Sequence, residues 1–271
     1  MIKFTVLSEN RDSEMCKGEG GLSIYIKTNE NEFLFDTGYS DLYKINAEKL
    51  NIKLKDINTV VFSHGHSDHT NGVPFLDSNK TIIMHPDAFK KRYSIRKKEF
   101  VGFPVKYEDL NKKHNIILTK DSIEFFPNIY FLGEIPMKID FEADGNFSTT
   151  LDEEYKKIDY TEDDSGIAIK TEKGLVIMTG CGHRGICNTI ERAIKVTNET
   201  RVYAVLGGFH LRNLENQKDK IDKTIDYMRK IGIEHLFLGH CVTDDVIEYM
   251  ENKISFAEIH RLKSGLSYTI E

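Results

Sequence analysis

The stretch Thr59-Val60-Val61-Phe62-Ser63-His64-Gly65-His66-Ser67-Asp68-His69 decides how the rest of the chain is read. Its first five residues are β-branched and aromatic, the composition of a buried strand. Three of the chain's ten histidines and one carboxylate then fall within the six residues from His64 to His69. That spacing puts metal ligands on a loop at the strand's carboxyl end, where α/β proteins carry their chemistry. Imidazole nitrogen and carboxylate oxygen together suit Zn²⁺, Fe or Mn²⁺. Alternating positions of a tight loop can face one ion while the last two face a second. Two divalent metal ions are therefore expected, with zinc as the first choice and manganese or iron as alternatives.

A chain of 271 residues can bury a sizeable core, as one large α/β domain or two small ones. One domain is expected over 1–271, because five prolines and no Pro-rich or Ser-rich linker leave little room for a flexible hinge. Apolar residues at 39% and charged residues at 30% suit a soluble globular protein. The 37 basic and 43 acidic side chains leave a net charge of −6, so no overall positive field gathers nucleic acid. The run from Lys90-Lys91-Arg92 through Arg96-Lys97-Lys98 is the one local basic stretch, and the solvated side of a helix or lid accounts for it. Cys16, Cys181, Cys187 and Cys241 form no Cys-x-x-Cys pair and read as reduced thiols. The N-terminus turns polar after seven residues and reads as a first strand, and no apolar run approaches the roughly 20 residues of a membrane span. A cytoplasmic protein acting on a small molecule is expected, with no nucleic-acid or membrane partner and the oligomeric state left open.

Strand-like stretches recur at 3–7, 22–27, 32–35 and 58–62, with a helical pattern at 41–50. A second series begins at Gly174-Leu175-Val176-Ile177-Met178-Thr179-Gly180 and continues with a helix near 188–195, a strand at 201–206, a helix near 218–230 and a strand at 235–238. Two α/β halves are thus expected. Between them, residues 89–164 are rich in charge and aromatics with weak periodicity, including Tyr93, Phe100, Phe103, Tyr107, Phe125, Phe126, Tyr130 and Phe131. A long, weakly regular segment of this kind reads as an insert or lid over the metal cleft. Its Tyr93, Arg96 and Tyr107 are the expected substrate contacts.

Three further histidines share one context: His183 after Thr179-Gly180-Cys181-Gly182, His210 after Leu206-Gly207-Gly208-Phe209, and His240 after Phe237-Leu238-Gly239. Each follows an apolar strand and at least one glycine, where a turn brings a side chain close to a ligand. Together with Leu34-Phe35-Asp36-Thr37-Gly38, the His-x-His-x-Asp-His loop resembles the metallo-β-lactamase superfamily over nearly the whole chain. Asp163-Asp164, Thr179-Gly180-Cys181-Gly182-His183, Gly207-Gly208-Phe209-His210-Leu211 and His240-Cys241 resemble its dihydropterin-type branch, some of whose members are named as synthases joining a dihydropterin to a ribofuranosylaminobenzene phosphate.

That resemblance implies an αββα sandwich with two metals at its edge. It makes His64, His66 and His183 ligands of the first metal, and Asp68, His69 and His240 ligands of the second. Cys181 stands where many relatives carry a bridging Asp, so it is either a thiolate ligand or a structural thiol. Asp36 resembles an aspartate that holds the metal loop by hydrogen bonds. His210 has no standard counterpart and is assigned a substrate-facing or proton-transfer role, with ligation the competing one. Met137 and Gly20 stand where the branch pattern leads one to expect a basic residue and a histidine.

The expected reaction is hydrolysis of an ester, lactone or phosphate-containing small molecule, anionic groups included, by a hydroxide on the dinuclear centre, with Asp68 orienting it. A synthase-like transferase of the dihydropterin type needs the same ligands and is the first alternative. A diiron redox protein is the second, and His66 counts against it, because such relatives carry a carboxylate there.

Overall fold

Short apolar runs separated by polar turns set out the strands of the chain. The computed structural model describes residues 1–142 and 149–270. In chain order these hold β1 (Ile2–Ser8), β2 (Ser23–Thr28), β3 (Glu32–Phe35), α1 (Leu42–Lys49), β4 (Thr59–Val61), α2 (Ser67–Thr70), β5 (Thr81–Met84), β6 (Tyr93–Ser94), α3 (Tyr107–Asn111) and β7 (Asn115–Leu118). There follow β8 (Ile123–Phe126), β9 (Ile129–Phe131), β10 (Thr149–Thr150), β11 (Gly166–Thr171), β12 (Gly174–Thr179), α4 (Ile186–Thr197), β13 (Val202–Gly207), α5 (Leu214–Ile231), β14 (His235–Leu238), α6 (Asp244–Lys253), β15 (Glu258–Arg261) and β16 (Ser267–Ile270). They form two units, one of Met1–Lys120, Asn146–Asp163 and Lys263–Glu271, the other of Asp121–Gly145 and Asp164–Leu262.

The first unit contains a seven-stranded sheet in the order β16-β1-β2-β3-β4-β5-β7. Pairing is antiparallel from β16 to β3 and parallel from β3 to β7. Parallel strands are usually covered on both faces, and Val60, Val61, Ile82 and Ile83 are all buried. Tyr43 and Ala47 of α1 join Leu7, Leu34 and Val60 in the core of this unit. Buried Asn46 donates to the carbonyls of Leu7 and Lys17, both at 2.8 Å, which ties the helix to β1. Because β3, β4 and β5 run the same way, Asp36, Phe62 and His85 leave the sheet at one edge, and the histidine loop starts there.

The second unit has its own seven-stranded sheet, β15-β14-β13-β12-β11-β9-β8, with β12 to β15 parallel. Helices α4, α5 and α6 pack onto it through Ile186, Ile190, Ile221, Ile225, Met228, Val246 and Met250. Helix α5 shows why the sequence stops and starts where it does. Asn213 caps its start by accepting from Asn216 N, and Gly232, left-handed at φ 78°, closes its end with its N–H on the carbonyls of Met228 and Arg229. Gln217, Ile221, Thr224, Ile225 and Met228 form the buried stripe between those caps.

The described part of 89–164 contributes strands to both seven-stranded sheets and also forms a separate two-stranded sheet of β6 and β10. Strand β7 is the parallel edge of the first sheet, whereas β8 and β9 extend the second beside β11. Phe103 enters the first unit's core, and Phe131 is fully buried. Its aromatic content therefore serves packing as much as any cleft. Residues 143–148 of that expected insert lie outside the described residues. No described helix is long and apolar enough to cross a membrane.

Ile221 is fully buried under the second sheet. The Ile221→Ala variant is expected to lower the free energy of unfolding by about 2–5 kcal/mol. Urea denaturation followed by circular dichroism checks this, with the native far-ultraviolet spectrum unchanged.

Candidate metal centre

Helix α2 is a single turn that begins directly after His66 and holds Asp68 and His69 close behind the loop. His64, His66 and His69 are buried, while the Asp68 side chain keeps 32% exposure. Ligand atoms of His64, His66 and Asp68 lie within 4.8 Å of one another. His64 Nε2 and His66 Nδ1 are 3.0 Å apart, and Asp68 Oδ2 is 3.9 Å from His69 Nε2.

The proton positions follow from the outer contacts. Asp36 is fully buried and accepts from Ser63 N at 2.8 Å, Ser63 Oγ at 2.7 Å and His69 Nδ1 at 2.7 Å. Having given its proton to Asp36, the Ser63 hydroxyl accepts from His64 Nδ1 at 2.9 Å. Both rings thus carry their proton on Nδ1 and present the Nε2 lone pair inward. His66 Nε2 lies 3.7 Å from Asp159 Oδ2 and 3.5 Å from Thr149 Oγ1. Two imidazoles and a carboxylate brought together in this way form a donor set that fits a divalent metal ion.

A buried ion network supports this loop from within the same unit. Arg92 is fully buried, donates to Asp159 Oδ2 at 2.7 Å and to Asp163 Oδ1, and contacts Ala88 O at 3.3 Å. Asp163 Oδ2 in turn accepts from Gly65 N at 2.8 Å, and Thr149 Oγ1 donates to Asp159 Oδ2 at 3.1 Å. Residue 65 must be glycine here, because a Cβ would meet the Ala88 carbonyl. Burial pushes the Asp159 carboxyl up, but His66 and Arg92 outweigh it and hold the group well below the usual carboxylate range. This corrects the reading of the basic run as a solvated face: Lys91, Arg96, Lys97 and Lys98 are exposed, but Arg92 is the centre of a buried cluster. Of the expected substrate contacts, Tyr93 donates its hydroxyl to Glu153 at 2.7 Å, Tyr107 packs edge-on against Phe89, and Arg96 is exposed.

In the second unit the three strand-Gly-His segments end at one edge, since β12, β13 and β14 are parallel neighbours. The rings of His183 and His210 lie 4.5 Å apart between centroids. His210 and His240 both take the left-handed backbone conformation, at φ 52° and 53°. Cys241 joins the loops: its Sγ accepts from His210 N at 3.2 Å and lies 3.3 Å from Cys181 O. Burial pushes the Cys241 thiol up, but hydrogen bonding with Cys181 and the electrostatic influence of His240 and Arg212 prevail and hold it below the usual thiol range. Cys181 itself is buried, and Asp164 accepts from Arg184 N at 2.9 Å.

A profile of the Metallo-beta-lactamase superfamily matches residues 17–181, which include the histidine loop and Cys181. The chain belongs to that superfamily. Among curated relatives it is 35% identical to the 7,8-dihydropterin-6-methyl-4-(beta-D-ribofuranosyl)-aminobenzene-5'-phosphate synthase of Methanocaldococcus jannaschii, over 82% of this chain and 80% of that one. It is 28% identical to an uncharacterized protein of the same organism, over 84% of this chain and 86% of the relative. A solved structure described as a metal-dependent hydrolase of the beta-lactamase superfamily matches with a TM-score of 0.85 and 27% identity, over 100% of this chain and 99% of that one. The mixed α/β class expected from the sequence is thus that of the metallo-β-lactamase fold, and the resemblance to the dihydropterin-type branch is matched by a named synthase.

Ser63, Arg92 and Asp159 escaped the sequence reading. Ser63 had a signal, since a hydroxyl next to the first ligand histidine can orient its ring. Arg92 and Asp159 had none, because 67 residues separate the two partners.

Replacing Arg92 by Met leaves Asp159 and Asp163 buried without their cation. The Arg92→Met variant is expected to lose about 3–5 kcal/mol of stability, measured by chemical denaturation. Adding Asp159→Asn and Asp163→Asn to it is expected to restore part of that loss.

Proposed function

We propose that this superfamily member is a metal-dependent hydrolase of an ester, lactone or phosphate-containing small molecule. One divalent ion would be held by His64, His66 and His183, and a second by Asp68, His69 and His240, zinc being the first choice. The observation that carries this reading is the clustering of His64, His66 and Asp68 on the loop, with outer hydrogen bonds to Ser63 and Asp36 that turn Nε2 of His64 and His69 inward. Bound divalent ions supply Lewis acidity toward substrate oxygens and lower the pKa of a water toward neutrality.

The chain's own groups do the rest. Asp68, partly exposed at the start of α2, orients the attacking water and takes up its proton. His210 faces the substrate and returns a proton to the leaving group. Cys181 is retained as a ligand or as a thiol beside the ligands, and Asp36 keeps the rings of His64 and His69 in register. The net charge of −6 supports a small-molecule partner over nucleic acid, and the cytoplasm remains the proposed location.

A second reading, a dihydropterin synthase-like transferase, is favoured by the 35% identity to the M. jannaschii enzyme. In that reaction the same ligands would stand against a pyrophosphate leaving group. Met137 and Gly20, at positions where a basic residue and a histidine were expected, count against an identical substrate.

Metal-loaded protein separates the readings. Release of chromophore from an ester or phosphodiester supports hydrolysis, whereas no release together with tight binding of a reduced pterin supports the transferase. His66→Ala and Asp68→Ala are each expected to lose bound metal and turnover together, read by elemental analysis and the same assay. Wild-type protein that takes up neither Zn²⁺ nor Mn²⁺ overturns both readings.

A further inference from the structure

At the opposite end of the second sheet from His183, His210 and His240, three more donors converge. His235 is the first residue of β14 and Glu258 the first of β15, and the parallel register pairs His235 with Glu258 and Phe237 with His260. Alternation along a strand puts Glu258 and His260 on one face. Leu236 and Leu238 belong to the core under the helices, so His235 and Phe237 point to the other face of the sheet.

The distances between these side chains choose between two kinds of contact. His235 Nδ1 is 3.3 Å from His260 Nε2 and 3.5 Å from Glu258 Oε2, and His260 Nε2 is 3.6 Å from Glu258 Oε1. Both carboxylate distances exceed the roughly 2.7–3.2 Å of a nitrogen-to-oxygen hydrogen bond. They match the spacing of ligands around a shared ion: metal–ligand bonds of about 2.0–2.1 Å in a tetrahedron put neighbouring ligands about 3.3–3.4 Å apart. The two rings are also held in place. His260 stacks on Phe237 with centroids 4.3 Å apart at an interplanar angle of 12°, and His235 lies 4.8 Å from the Tyr203 ring. The His235 and His260 side chains are only 14% and 18% exposed, whereas Glu258 is 65% exposed, so two fixed nitrogens form the base of the site and the carboxylate closes it from solvent.

We infer that His235, Glu258 and His260 form a second metal site, one that binds a first-row transition ion such as Zn²⁺ or Cu²⁺ through two imidazoles and a carboxylate. Two nitrogens and one oxygen suit these ions over Mg²⁺ or Ca²⁺ and leave a coordination position for water. The ion would clamp edge strand β15 to β14, a structural role separate from the histidine loop and independent of the hydrolase reading.

Metal-stripped protein titrated with Zn²⁺ against a chromogenic chelator tests this. The His66→Ala/Asp68→Ala background removes the loop site, and the remaining ion is expected to bind at least tenfold more weakly once Glu258→Gln or His260→Gln is added. Glu258→Gln changes an exposed side chain and keeps the test valid where a ring substitution disturbs folding. With Cu²⁺ in the same background, electron paramagnetic resonance is expected to show coupling to two imidazole nitrogens. Unchanged Zn²⁺ affinity in Glu258→Gln, or a Cu²⁺ spectrum without that coupling, overturns the proposal.

Discussion

The buried carboxylate of Asp36 is the contact on which the candidate metal centre depends. It sits at the end of β3, beside the end of β4, where the parallel register brings Phe35 against Val61. From there it receives a backbone N–H, a hydroxyl and an imidazole, and so sets the tautomers of His64 and His69 through one group. Hydrogen bonds to a charged acceptor contribute about 1.5–3 kcal/mol each, which offsets the desolvation of a fully buried carboxylate. The left-handed backbone of Asp36, at φ 59°, turns the chain so that the side chain points back under the loop.

Around the same loop, the buried carboxylates of Asp159 and Asp163 face the one guanidinium of Arg92, while buried Asp36 is held by Ser63 and His69. The surplus is negative. Buried charge is tolerated only when paired, and here the surroundings favour a cation at the inward-facing nitrogens. The hydrogen bond from Gly65 N to Asp163 couples this electrostatic cluster to the backbone between the first two histidines. Ligand geometry and charge balance thus rest on the same few groups.

The second unit reaches a comparable order by different means. Its candidate ligands follow three parallel strands, and two of the histidines occupy left-handed conformations that cost on the order of 1–3 kcal/mol each. Gly207, at φ 127°, is needed just before His210, where a Cβ would collide with the Thr179 carbonyl of the paired strand β12. Cys241 then joins the ends of those loops through its sulfur. Strain at these positions is held by the packed sheet behind them, as expected where side-chain placement matters more than local stability.

Periodicity and composition by themselves determined the α/β class, the strand before the histidine loop and the three strand-Gly-His segments, and they singled out His64, His66, Asp68 and His69 as candidate ligands. Those features are local: alternation, β-branching and donor spacing are all read within about ten residues. Asp36 was legible through the family resemblance of Leu34-Phe35-Asp36-Thr37-Gly38. What only the tertiary structure decided has partners far apart in the chain. Arg92 looked like part of a solvated basic run until Asp159 and Asp163 were folded onto it, since a guanidinium's burial depends on charges that no local pattern reports. That β7 and β9 of the stretch 89–164 join different sheets was not legible, because strand pairing is fixed by long-range register and not by composition. His235, Glu258 and His260 carried no motif at all. Two neighbouring parallel strands brought them together, and lateral pairing of that kind leaves no trace in sequence spacing.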